Sequence, residues 1–116
     1  MNVELTPIIW LGDSIATVRE WSFAARRRIG EELFRLQLGG EPLNWRVVKS
    51  VGRGVREIKV SEGRQFRVFY VTQRKDSIVV LHAFEKKSQK TRKADLTTAG
   101  KRLKELEQIR SSNKEI

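Results

Sequence analysis

Apolar residues recur along this chain first at helical and then at strand spacing, with the change near residue 45. Residues 8–11 read as a short buried strand, and Gly12-Asp13-Ser14 then supplies turn and N-cap chemistry for a helix starting near Ser14. Ile15, Val18 and Trp21, then Ala25, Ile29, Leu33 and Leu36, follow at steps of three and four, which predicts a buried helical face. Helix is therefore expected over residues 12–38, in one piece or in two with Ser22 capping the second. Gly39-Gly40 and Pro42 stop it. Beyond a turn at Gly52-Arg53-Gly54, β-branched and aromatic runs predict strands over 55–60, 64–72 and 77–84. Their short connections make an antiparallel meander the economical arrangement. Leu96, Ala99, Leu103 and Leu106 predict a last amphipathic helix, capped by Thr91 and ending near Arg110. The pattern is that of a single α+β domain over residues 1–110, with a disordered tail at 111–116.

Alternation within the strands assigns faces. The middle strand sets Phe66, Val68 and Tyr70 against Gln65, Arg67, Phe69 and Val71. In the first strand Ile58 and Val60 oppose Glu57 and Lys59, and in the third His82 and Phe84 oppose Leu81 and Ala83. Arg67 thus projects from a largely apolar strand. It either pairs internally with Glu57 or faces a groove where it awaits an anion.

Charge sharpens this picture. The 116 residues carry 24 Lys and Arg against 14 Asp and Glu, a formal net charge of +10. Residues 1–45 nearly cancel, with five cations and six anions, whereas 46–75 hold nine cations and two anions. A second block, 85–110, holds nine against four, and residues 86–93 include five cations and no acid. Two separate blocks of one sign attract polyanions. The absence of Cys excludes disulfide scaffolds and thiolate zinc modules, and a lone His removes multi-histidine metal sites, so neither metal nor cofactor is expected. The longest apolar runs are four residues, far below the ~20 of a membrane span, and the opening residues lack the features of a secretory signal. A cytoplasmic location is the expectation.

Walker, GxGxxG, GxSxG and HExxH motifs are all missing. What remains is a sheet bearing Lys59 and Arg67, followed by the 86–93 run, with Phe69, Tyr70 and Phe84 interleaved. Cations beside rings are the ingredients of single-stranded nucleic-acid recognition. RNA carries its own nucleophile, the 2′-hydroxyl, so its cleavage needs only a proton acceptor, cations for the phosphorane and a proton donor. Crowding by like charge suits Lys59, Lys86 and Lys87 to proton transfer, with Glu57 or His82 as alternative bases.

Three stretches also carry a family resemblance. Gly54-Val55-Arg56-Glu57-Ile58-Lys59-Val60, Phe66-Arg67-Val68-Phe69-Tyr70-Val71 and Val80-Leu81-His82-Ala83-Phe84-Glu85-Lys86-Lys87-Ser88-Gln89-Lys90-Thr91 together resemble the phage-related, HigB-like branch of the RelE/ParE toxin superfamily. Ala25-Arg26-Arg27-Arg28 and Leu36-Gln37-Leu38-Gly39 extend the likeness to nearly all of residues 8–108. The resemblance implies two N-terminal helices packed on a small antiparallel sheet with a C-terminal helix, in the toxin of a type II toxin–antitoxin pair. Such toxins cut mRNA on the ribosome, or in the ParE branch poison DNA gyrase; a non-catalytic phage nucleic-acid-binding protein is the remaining alternative. By position, Lys59, Arg67 and Lys86 or Lys87 match the family's basic residues. Glu57 departs from it where RelE has a lysine, no tyrosine stands near Arg92 or Lys93, and Arg92 replaces a common proline. The expected catalytic set is Lys59, Arg67, Lys87, Glu57 and His82. RNA contacts are expected from Arg56, Lys86, Gln89, Lys90, Arg92 and Lys93. The implied partners are mRNA and a helix-turn-helix antitoxin, with no membrane.

Overall fold

A sheet with apolar residues on both faces can be satisfied only by cover on both, and the two helical regions supply it. The computed structural model describes residues 4–73 and 76–114. In chain order the elements are β1 (Ile8–Trp10), α1 (Ser14–Arg19), α2 (Phe23–Gln37), β2 (Trp45–Val47), β3 (Arg56–Glu62), β4 (Arg64–Gln73), β5 (Ser77–Lys86) and α3 (Lys93–Lys114). The strands lie in the order β1-β5-β4-β3-β2. Val18, Ala25, Ile29, Leu33 and Leu36 pack on Ile58, Val60, Phe66, Val68 and Tyr70, burying one face. Ala99 and Leu103 of α3 pack on Phe69, Val71, Val79, Leu81 and Phe84, burying much of the other. Fully burying one such side chain stabilises the fold by roughly 1.5–3 kcal/mol, so β4 and β5, apolar on both sides, form the centre of the molecule.

The α+β class and the β3-β4-β5 meander match the sequence pattern, but four details differ. First, the sheet is mixed, because β1 runs parallel to β5. The intervening helices carry the chain back across the sheet, and Ile78 N–H to Pro7 O and Leu11 N–H to Val80 O extend that ladder. Second, β2, which the apolar pattern does not predict, pairs with β3 through Trp45, Arg46 and Val47. It is held there by Glu32, which is fully buried and accepts hydrogen bonds from the Leu43 N–H and from Arg28. Third, α3 begins after Arg92, whose carbonyl accepts the Asp95 and Leu96 N–H groups, and the Thr91 hydroxyl is buried without a partner. The same helix continues to Lys114, so residues 111–114 of the expected disordered tail are helical, while 115–116 lie outside the described residues. Fourth, Leu81 is a bulge: Phe69 pairs with His82 and Tyr70 with Val80. The extra residue reverses the alternation of β5, so Leu81, His82 and Phe84 all face α3 while Ala83 faces α2.

Ser22 accepts the Ala25 N–H at 3.2 Å and divides α1 from α2, as its position suggests. Asp13 makes no capping bond from its side chain. Its carboxylate instead accepts from Arg102 Nη2 at 2.8 Å, while Arg102 Nη1 donates to the Leu81 carbonyl at 2.9 Å. Arg102 therefore ties α3 to the bulge and to the loop before α1.

Gly12 has φ +55°, and a Cβ there would strike the Arg102 guanidinium. Gly12→Ala is expected to lower stability by at least about 1 kcal/mol in urea unfolding. Arg102, by its hydrogen bond and charge, holds the Asp13 carboxyl below its ordinary value of 3.8. This contribution is present above the unfolded value and is lost as pH falls through the lower folded one. Asp13→Asn is expected to flatten the acid side of the stability profile, measured as unfolding midpoint against pH.

Candidate nucleic-acid interface

Strand register decides which charges share a surface. Lys59 is the Cα partner of Arg67 and Arg67 of Phe84; Gln65 pairs with Lys86, and Glu57 with both Phe69 and Arg46. Opposed residues point the same way. Arg46, Glu57, Lys59, Gln65, Arg67 and Lys86 thus lie on the face that α3 covers at its other end.

Arg67 is the centre of this surface. It retains only 7% of its exposure, and its guanidinium lies against an open hollow of about 390 Å³ lined by Gln65, Arg67, Lys86, Lys87, Ser88 and Gln89. Its Nη1 donates to the Phe66 carbonyl at 2.9 Å, and Gln65 Oε1, which accepts from the Ser61 hydroxyl at 2.8 Å, lies 3.4 and 3.5 Å from the two terminal nitrogens. The Nε has no partner, and none of the described ion pairs includes Arg67. Burial pushes its pKa below the usual guanidinium range, with the Glu57 charge opposing the shift and Arg46 adding to it. A guanidinium stays charged even so. The result is a desolvated cation, held by carbonyls, facing a hollow lined by two lysines and no acid.

Glu57 is the carboxylate expected to neutralise Arg67 or to act as base. It is fully buried and bonded to Arg46 Nε at 2.6 Å. That burial keeps it from any substrate in the hollow. His82 is also committed: Nε2 is 2.8 Å from Asp95 Oδ1, Nδ1 is 3.4 Å from Arg102, and the ring stacks on Phe84 at 5.4 Å. Its environment is that of a packed, bonded ring. Arg56 lies on the opposite, α2-side face, bonded to Glu41 at 2.9 Å and stacked over Trp45 at 4.3 Å, so the fold separates it from the other candidates. Lys59 stands beside Arg67 without lining the hollow. Lys86, Lys87 and Gln89 line it; Lys90 and Lys93 are exposed outside it. Arg92 is paired with Asp95 at 3.2 Å and lines a second hollow of about 380 Å³ between α1, β5 and the start of α3. Lys87 lines both hollows.

Four residues that the sequence does not single out complete the surface. Gln65 orients Arg67 and was accessible to period-two reasoning, since it lies two positions away on the same strand face. Arg46, which occupies Glu57, comes from a strand the pattern does not announce. Asp95 and Arg102 hold His82 from a helix distant in sequence, and no local spacing signals them.

Among the described residues no group of acidic or histidine side chains is placed to hold a metal ion, and no helix is long and apolar enough to cross a membrane. No curated protein matches the chain. The model of a family described as "Phage derived protein Gp49-like (DUF891)" matches residues 16–104, from within α1 through α2 and strands β2 to β5 to the middle of α3. With that much of its length matched, the chain belongs to the Gp49-like phage-derived family, within the RelE/ParE-like toxin superfamily.

Proposed function

We propose that the protein is a toxin that cleaves mRNA, with the Arg67 hollow as its phosphate site. The observation that carries this is the buried Arg67 guanidinium, in none of the described ion pairs and opening toward Lys86 and Lys87. A permanent structural arginine would have its own counter-ion, whereas this one gains its missing interaction only when an anion enters. In the reaction the 2′-oxygen of the RNA bonds to phosphorus as the bond from phosphorus to the 5′-oxygen breaks. Arg67, Lys86 and Lys87 stabilise the charge that builds on the phosphorane oxygens. Lys59 and Lys87, on either side of Arg67, are the proton-transfer pair: one takes the 2′-hydroxyl proton and the other supplies a proton to the departing 5′-oxygen. Glu57 has no part in this scheme, and His82 acts by fixing Asp95 and hence the start of α3. The ribosome is the proposed setting, which the resemblance to RelE-like toxins suggests. An antitoxin with a helix-turn-helix domain and an acidic segment is the proposed partner, since carboxylates laid into the hollow would occupy the same cations.

Induced expression in a bacterial host, with growth and mRNA 5′ ends as readouts, tests the proposal. The parent is expected to arrest growth and produce new 5′ ends, and Arg67→Ala and Lys87→Ala are each expected to reduce cleavage at least about tenfold, the scale of one lost charge-assisted bond. Equal toxicity of parent and variants would remove the site. DNA damage with intact mRNA would direct attention to gyrase instead. Stability is expected to move the other way: Arg67→Met removes a desolvated charge and should raise it by roughly 1 kcal/mol in urea unfolding while abolishing cleavage.

A further inference from the structure

The second hollow differs from the first in charge and in kind. The Arg67 hollow presents three cations and no acid, whereas the second sets Glu20, Glu85 and Asp95 against Lys87 and Arg92. Phosphate is repelled from such a balance. Yet the two hollows share Lys87 and so adjoin on the surface.

Its walls suit a base. Trp21 packs against Phe66, with ring centroids 4.7 Å apart, and remains half-buried at the hollow. Arg92 is largely exposed, and its Nε is held by Asp95 Oδ2 at 3.2 Å while Asp95 Oδ1 is held by His82. An indole and an anchored guanidinium plane are surfaces on which bases stack. Of the three carboxylates, Asp95 has both oxygens engaged and Glu85 lies 3.6 Å from Arg64. Glu20 enters none of the described ion pairs. A carboxylate fork accepts two parallel N–H groups, and among the four RNA bases only guanine offers two adjacent donors, N1–H and N2–H, on its Watson–Crick edge.

We propose that this hollow is a base-reading subsite for guanine, next to the phosphate held by Arg67, with Glu20 as the specificity-determining residue and Trp21 and Arg92 as the stacking surfaces. The proposal rests on the RNA-cleaving function proposed above. It explains why acids persist in a region where the rest of the surface is cationic: they repel phosphate from this position and accept from a base edge.

Fluorescence anisotropy with the full chain tests it, using labelled uridine oligonucleotides that carry one central guanosine, adenosine or inosine and 2′-O-methyl groups to block cleavage. Guanosine is expected to bind about tenfold more tightly than adenosine, with inosine, which lacks the 2-amino group, between them. Glu20→Gln is expected to abolish the preference for guanosine over adenosine, read as the ratio of the two affinities so that any general gain from removing a negative charge cancels. A guanosine preference that survives Glu20→Gln would overturn the role of Glu20. Equal affinities that Arg67→Ala abolishes would remove the base subsite and leave the RNA function standing. Binding that Arg67→Ala does not change would remove both.

Discussion

A guanidinium carried into the middle of a sheet must be compensated, and the way Arg67 is compensated organises the surface around it. Carbonyl and amide oxygens from Phe66 and Gln65 hold its terminal nitrogens, but it makes no ion pair: Glu57, bonded to Arg46 through Oε1, acts on it only through its charge. The distant Glu57 charge compensates Arg67 only in part, so the folded state keeps an unfavourable charge that an anion in direct contact relieves. Lys86 and Lys87 then concentrate anions at the one place where Arg67 can reach them.

Two devices keep that place open. The Leu81 bulge turns His82 and Phe84 toward α3, and Arg102 bonds to the Leu81 carbonyl and to Asp13. Asp95, in the first turn of α3, holds His82 and Arg92 together. With these contacts α3 packs over Phe69, Val71 and Val79 at one end of the sheet face and leaves Lys59, Arg67 and Lys86 uncovered at the other. The same helix thus buries the second core and frames the two hollows.

Much of this was legible in the residues. Period-two alternation assigned Arg67, Lys59 and Gln65 to one face, and helical spacing identified the buried sides of α2 and α3, because side-chain direction in regular elements follows from local backbone geometry. The Leu81 bulge was not legible, since an inserted residue leaves the composition of β5 unchanged and shows only in pairing with β4. β2 was missed for a related reason: three residues are too few to carry a period, and Trp45 to Val47 become a strand only by pairing with β3. The expected Thr91 cap failed because Arg92, one residue on, supplies the carbonyl that starts the helix.

The sequence by itself determined the class of fold, the buried faces, the cationic bias and the exposure of Arg67 to a choice between a partner and a groove. Only the tertiary structure decided that choice. It placed Arg46 next to Glu57 and Arg56 on the far face beside Glu41, and it locked His82 between Asp95 and Arg102. The physical reason is that ion pairing at short range depends on which strands and helices become neighbours, and the residues involved are separated by 11 to 20 positions along the chain.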